Sequence, residues 1–205
     1  MKKPYIILLV LCALLSPFIA SAQFRYAPIA GVNVNNLMFK QDLVKVSQQV
    51  GYTAGIQGEL MFPGIGFGID LGLMYNQQGA KVNLGEKEIW SWEGYGNEHV
   101  YIHNLLIPVH FRFKYTRLNG LEEKIAPLVF GGPDFNIQLA HGRCKAFEYS
   151  GGDLGLTAGG GVELFQRWQA TVSYTWGMTY VLRTRLLDDY SARSRQWMVR
   201  VAYFF

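Results

Sequence analysis

Hydrophobic and polar residues alternate along the last eleven positions of the chain, 195–205. The odd positions from Trp197 to Phe205 are all apolar, whereas Gln196 and Arg200 occupy even positions. Successive side chains leave a β-strand on opposite faces, so this period of two predicts a strand. One face of that strand is wholly apolar, and the other carries a charge near its middle.

Seven further stretches show the same alternation. In the clearest, from Tyr101 to Tyr115, apolar residues alternate with polar ones such as His110 and Arg112. After residue 22 we find neither a sustained helical period nor a long apolar run, so the pattern predicts an all-β chain. The seven predicted strands are 26–35, 51–62, 65–77, 101–115, 125–139, 153–164 and 168–178.

The connections between these strands alternate in length. The long ones are 38–50, 78–99, 140–152 and 180–194, and the short ones are 63–64, 116–123 and 165–167. Short turns at one end and long loops at the other are typical of an antiparallel up-and-down transmembrane β-barrel, here of about eight strands. Aromatic residues such as Trp168 and Trp197 fall near the predicted membrane interfaces. The terminal strand resembles the closing strand of outer-membrane barrels, in which Tyr203 and Phe205 would be the signal for the barrel assembly machinery.

A soluble eight-stranded barrel of the lipocalin kind is the structural alternative. Its apolar face would point inward, toward a ligand cavity. The polar face of this chain is rich in glycine and small polar residues, which suits a narrow interior. The apolar face carries two aromatic bands, and the chain ends within a strand at Phe205. These features favour the membrane barrel.

The first 22 residues have the pattern of a secretory signal peptide. Lys2 and Lys3 precede an apolar run from Tyr5 to Leu15, and small residues lead to a predicted cleavage between Ala22 and Gln23. That run is about half of the roughly 20 residues that a membrane helix needs. We therefore expect a signal peptide at 1–22, a barrel domain at 23–205 and a location in the bacterial outer membrane.

Charge and cysteine content narrow the function classes. Removing Lys2 and Lys3 from the 19 basic residues leaves 17 against 15 acidic residues. With no stripe of Lys and Arg to follow phosphates, nucleic acid is not an expected partner. The exported part has one cysteine, Cys144, which cannot form an internal disulfide.

Charged side chains also occur at inward-facing positions of the predicted strands. They could form an ion path, or they could pair with one another and fill the lumen. Barrels of about eight strands have room for side chains and little else, and buried charges need partners, so we favour a paired network. Its predicted members are Glu59, Asp70, His110, Arg112, Lys114, Asp134, Glu163 and Arg200.

His103 is unusual because its parity points to lipid. A lipid-modifying enzyme would need a nucleophile and an acid beside it, and no serine faces outward in any predicted strand. His99 lies on the same face, but no third metal ligand is evident. We expect neither catalysis nor a metal or other cofactor.

Two groups of loop residues are candidate contact sites. Trp90, Trp92 and Tyr95 lie in the second long connection, where exposed aromatic residues often mark a contact surface. Basic residues in the third and fourth connections form a rim that could bind lipopolysaccharide phosphates. Folding of the loop on its own aromatics, and solvation of the charges, are the alternatives. The basic residues are Arg143, Lys145, Arg183, Arg185, Arg193 and Arg195.

Several motifs resemble those of PorT-like outer-membrane barrels of Bacteroidota. They are Gly31-Val32-Asn33, Leu105 to Pro108, Gly131-Gly132-Pro133 and Asp153 to Glu163. Leu106 stands where that family usually has an acidic residue. The resemblance implies an outer-membrane barrel, and the namesake of the family serves type IX protein secretion. We thus expect a non-enzymatic barrel that acts through its external loops, on a surface or secretion partner or on outer-membrane lipid. A small porin-like channel and a lipid-modifying enzyme are the alternatives.

Overall fold

Eight long strands carry the fold in the computed structural model, which describes residues 23–40, 45–62, 66–84, 91–92, 96–115, 121–142, 146–184 and 191–205. These strands are β1 (Gln23–Phe39), β3 (Gln49–Met61), β4 (Phe67–Asn83), β5 (Asn97–Lys114), β6 (Ile125–His141), β8 (Gly152–Leu164), β9 (Trp168–Gly177) and β11 (Ser191–Tyr203). Three short strands accompany them: β2 (Lys45–Ser47), β7 (Phe147–Tyr149) and β10 (Leu182–Thr184). Leu121–Glu123 form one 3₁₀ turn.

The eight long strands form a closed antiparallel barrel. Each pairs with the next along the chain, and β11 returns to pair with β1 from Ile29–Ala202 to Phe39–Ala192. Because β1 and β11 pair, neither has an unpaired edge. A sheet in a bilayer requires such closure. The predicted fold class is therefore confirmed. No helix among the described residues is long and apolar enough to cross a membrane.

The outward faces are apolar, as the alternation predicted. Ile56, Leu71, Phe111 and Val199 are exposed on the outer wall. Neighbouring residues that point inward are buried, namely Gln57, Asp70, His110 and Arg200. β-Branched and aromatic residues suit this surface, since they pack well on a pleated sheet. An apolar wall around a polar lumen is the reverse of the soluble-barrel alternative.

The strands extend further at the long-loop end than the sequence predicted. β4 continues to Asn83 and β5 begins at Asn97, so much of the predicted 78–99 connection is strand. β2, β7 and β10 likewise lie within predicted connections. Apolar and polar residues still alternate there, but the apolar residues now face inward, as Ala80 and Val82 do. The predicted strands ended where the outward-facing residues are no longer apolar.

The inward apolar residues at this end form one cluster, which we call the cap. Phe147 of β7 lies against Phe39 of β1, with ring centroids 6.2 Å apart. Burying apolar groups away from water stabilises this extension above the membrane. The cap consists of Leu37, Phe39, Ala80, Val82, Leu84, Val100, Ile102, Ala146, Phe147, Val181, Leu182 and Ala192.

Glycines on β8 provide space for side chains that cross the lumen. A Cβ on Gly159 would lie 2.7 Å from the ring of Phe130 and 2.6 Å from Ser173 Cβ. Both distances are far below normal contact, so Gly159 allows the Phe130 ring to enter the interior from β6.

Candidate functional site

Glu59 is the centre of a group of ionised side chains at the short-turn end of the lumen. Its side chain is 0% exposed. Its carboxylate accepts hydrogen bonds from Arg25 at 2.7 Å, from Lys114 at 2.8 Å and from Arg112. Three cations therefore converge on one buried anion, an arrangement that holds only if further anions balance them.

Two more carboxylates supply that balance. Glu163 accepts from Arg25 and from Lys114, each at 2.7 Å. Asp70 Oδ2 accepts from Arg112 Nε at 2.7 Å and from Arg112 Nη2 at 2.6 Å, so one carboxylate oxygen receives both contacts. Three cations and three anions thus alternate across the lumen. We call them the charge network: Arg25, Glu59, Asp70, Arg112, Lys114 and Glu163.

Arg25 was not among the predicted interior charges. The predicted first strand began at Tyr26, whereas β1 begins at Gln23. Position 25 has the parity of the inward residues Ala27 and Ile29. Extending the alternation by one residue would have identified it.

Asp134 and His110 form a separate group deeper in the lumen. His110 Nε2 lies 2.8 Å from Asp134 Oδ1, and the His110 ring stacks on Phe130 with centroids 5.4 Å apart. The Thr157 hydroxyl donates to the other oxygen of Asp134. These contacts satisfy both oxygens of a buried carboxylate.

In the described part of the chain, no carboxylate lies within ion-pair distance of Arg200, whereas the prediction placed it in a paired network. Among the described residues, its closest polar contacts are Ser173 Oγ at 3.4 Å and Met74 Sδ at 4.0 Å. Its guanidinium lies 5.6 Å from the centre of the Phe130 ring. The interior carboxylates nearest in depth are already engaged by Arg112 and His110, so Arg200 is held by polarisable and aromatic groups.

A belt of amide side chains separates these charges from the cap. Asn33 Nδ2 donates to Asn76 Oδ1 at 2.9 Å, and Asn35 donates to Asn33 at 2.6 Å. Gln196 Nε2 donates to Asn76 at 3.2 Å. We call Asn33, Asn35, Asn76 and Gln196 the amide belt; it links β1, β4 and β11 across the interior.

The charge network, the amide belt and the cap therefore fill the described lumen in three successive layers. Glu59 of the charge network, Asn76 of the amide belt and Ile102 of the cap are all 0% exposed. A water-filled lumen would leave such inward side chains accessible. An open cavity of about 580 Å³ lies outside the network at the short-turn end and includes Arg25 and Lys114 in its lining.

The predicted contact residues of the loops are only partly described. Trp92 is 87% exposed, and Arg183 and Arg193 lie exposed on the outer wall. Trp90, Tyr95 and Arg185, with Arg143 and Lys145 of the rim, lie outside the described residues, as does Ala22 of the predicted cleavage site. Gln23 is the first residue of β1.

The chain terminus lies against the beginning of β1. Phe205 stacks on Tyr26 with ring centroids 5.5 Å apart, and its N–H donates to the Tyr26 carbonyl at 3.1 Å. The Tyr203 hydroxyl accepts from Arg167 at 3.2 Å. Phe205 thus lies at the seam where the barrel closes, whereas Tyr203 lies on the β9 side of β11, opposite Trp168.

His103 faces outward, and its partner is a tyrosine. Tyr75 Oη lies 2.5 Å from His103 Nδ1, and their rings stack. His99 stacks on Tyr101 on the same face. In the described part of the chain, no three His, Cys, Asp or Glu side chains are grouped as a metal site.

Comparison with known proteins places this barrel in a class. The chain belongs to the outer membrane protein beta-barrel domain family, whose model matches residues 19–183. Together with the fold, this makes it a bacterial outer-membrane β-barrel protein, located in that membrane. No curated protein sequence matches it significantly.

The chain is also similar to solved structures of other bacterial barrels. The outer membrane protein OprG from Pseudomonas aeruginosa is 11% identical with a TM-score of 0.52, over 89% of this chain and 94% of OprG. Neisserial surface protein A is 10% identical, with a TM-score of 0.46 over 87% and 97% of the two chains. Ail of Yersinia pestis is 12% identical, with a TM-score of 0.41 over 89% and 99%. At these identities, the OprG match supports the fold alone.

Proposed function

We propose that this protein is a non-enzymatic outer-membrane barrel that acts through its external part, as an interaction or structural protein or as an accessory of protein secretion. The filled lumen is the observation that carries the proposal. Three layers of buried side chains occupy the described interior, from Glu59 through Asn76 to Ile102. Permeation needs a passage, whereas recognition at the cell surface needs only an exposed, well-supported platform.

The cap supplies that platform. β4 and β5 stay paired as far as Asn83 and Asn97, beyond the lipid-facing part of the wall. Trp92, which follows β4 in the same connection, is 87% exposed. Tryptophan is enriched among residues that dominate binding energy at interfaces, so an exposed one above a rigid support suits partner binding.

A PorT-like secretion role is supported by the resemblance of motifs. Two of the motifs, at 131–133 and 153–163, lie on the adjacent strands β6 and β8, where Gly132 pairs with Thr157 and Pro133 with Leu156. Because the two motifs pair directly, both contribute to the structure of this section of the wall. Any secretion role is therefore exercised through the external part of the protein, while these motifs build the wall.

Deletion of residues 86–95 tests the proposal. The deletion retains the paired residues Asn83 and Asn97 and leaves three residues, Leu84, Gly85 and Gly96, to connect β4 with β5. We expect the deleted protein to assemble in the outer membrane while the phenotype of the wild-type gene, including any secretion of cargo, is lost. Trp92→Ala should reduce the same phenotype. Leu121→Ala, at an exposed site on the opposite end of the barrel, is the matched control and should leave it intact.

Planar-bilayer recordings distinguish the channel alternative. The wild-type barrel should give no steady conductance, because its described interior is filled. Uniform, long-lived channels that persist after deletion of residues 86–95 would contradict the proposal and favour a porin-like function. Normal phenotype after the deletion, with normal assembly, would also contradict it.

A further inference from the structure

The outer wall of β11 and β1 carries two arginines at the long-loop end. Arg193 pairs with Met38 and Arg195 with Asn36 across the seam of the barrel. Partners in an antiparallel pair point to the same face, and here that face is the outside. An Arg195 Nη lies 4.0 Å from Met38 Sδ, so the two arginines cover neighbouring parts of one surface.

Two further cations border this surface. Arg183 on β10 pairs with Ser191 of β11 and is exposed. On the other side, the Lys40 N–H donates to the Ser191 carbonyl at 3.1 Å, which places exposed Lys40 beside the same residue. Glu148 of β7, opposite Arg183, is the neighbouring acidic residue in the described register. We call Lys40, Arg183, Arg193 and Arg195 the basic face.

The positive charge of the basic face acts on the neighbouring side chain of Tyr180. Its ring lies 5.0 Å from the Arg193 guanidinium. Hydrogen bonds from Arg193 and Ser191, followed by the positive charges of Arg193 and Lys40, lower the pKa of the Tyr180 hydroxyl below its usual range. The surrounding groups thus stabilise an anion at this point on the wall.

The polarity of the strands sets the height of the basic face relative to the membrane. Trp197 and Val199, immediately below it on β11, are exposed apolar residues of the lipid-facing wall. Ala192, at the level of its upper part, already points into the cap. Interfacial aromatic residues such as Trp197 lie at headgroup level. The basic face therefore begins at the headgroups of the outer leaflet.

We propose that the basic face binds the phosphate groups of lipopolysaccharide, with the acyl chains of the same molecule lying on the apolar wall below. Arginine forms paired hydrogen bonds with phosphate and is well suited to this contact. Trp197, Val199 and Val32 provide the exposed strip for the chains. Binding here requires only the outer-membrane location of the barrel, so it is independent of the secretion role.

Binding of purified lipopolysaccharide to the refolded barrel in detergent tests this site. The full-length exported barrel is compared with an R193Q/R195Q double variant. K45Q/K81Q is the matched control, because these two exposed lysines lie on the β2–β4 part of the wall. Each lost charge-assisted contact should weaken binding roughly tenfold. The control should bind as the wild type does, and unboiled gel mobility checks that every variant is folded.

The wild-type protein provides a second test that does not depend on any variant. Lipopolysaccharide from which the phosphates have been removed should bind at least roughly tenfold more weakly, and the loss should shrink at high salt. Equal binding of the phosphorylated and dephosphorylated lipids would overturn the proposal. So would wild-type affinity in a folded R193Q/R195Q variant, or equal affinity for phosphatidylglycerol vesicles, which would indicate general attraction to anionic lipid.

Discussion

At the scale of single residues, Glu59 and Arg200 show how differently two buried charges can be held. Glu59 accepts from three cations that reach it from β1 and β5. Arg200 has no carboxylate partner among the described residues and lies against Met74 and Phe130. Removing a partner from a buried ion pair leaves an uncompensated charge, whereas removing Arg200 leaves Asp70 and Asp134 with partners of their own, Arg112 and His110.

We therefore predict that Glu59→Gln destabilises the barrel by about 3–5 kcal/mol. Arg200→Met, which keeps a long side chain in an apolar setting, should cost less than about 2 kcal/mol. Urea-induced unfolding of both variants in lipid vesicles measures the two changes. A larger loss for Arg200→Met than for Glu59→Gln would mean that Arg200 balances interior carboxylates at longer range.

The alternation of odd and even positions identified which residues face inward, but not which of them contact one another. All eight predicted interior charges point into the lumen, because the period of two determines the face of each position. Partners depend on the stagger between strands, which brings Glu59 of β3 to Arg112 of β5 and Glu163 of β8 to Lys114. That stagger is a property of the closed barrel. Arg200 was placed in the paired network because the stagger was not known, and Arg25 was missed only at a strand boundary.

At the scale of secondary structure elements, each strand near the long-loop end changes its surroundings along its length. β5 presents His110 and Arg112 to the lumen in the membrane but Val100 and Ile102 above it. The apolar side faces lipid in the first part and the cap in the second. The sequence predicted the existence and order of the long strands from the first part. It placed the second part in loops, because the inward apolar residues there belong to a core that only the assembled barrel forms.

We predict that Phe147→Ala opens the cap without disturbing the membrane part. Phe147 is buried against Phe39, and losing a buried phenylalanine costs about 3–5 kcal/mol of packing energy. Hydrogen exchange of the backbone should quicken at 80–84 and 97–102 and remain slow at 104–112. Trp92→Ala, at a highly exposed position, is the control and should leave all three segments unchanged. Uniform acceleration along β5 would show that the cap and the membrane part unfold as one unit.

At the scale of the whole molecule, two chemically different barriers close the described lumen in series. The charge network seals the short-turn end with paired ions, and the cap seals the long-loop end with apolar side chains. The amide belt between them is polar, so water could hydrate it once either barrier opened. For barriers in series, the one that remains closed determines the conductance.

Opening one barrier should therefore leave the barrel non-conducting. We predict that Glu59→Ser with Arg112→Ser, which removes two opposite charges together, produces no steady current in planar bilayers, because the cap stays closed. Phe147→Ser with Leu182→Ser should likewise be silent, because the charge network remains. All four substitutions together should give steady channels. A shift in gel mobility between unboiled and boiled samples confirms that each variant is a closed barrel, since detergent alone does not break the ring of backbone hydrogen bonds. Steady channels from the Glu59 and Arg112 variant alone would mean that the cap is permeable, and they would move the function of this protein toward transport.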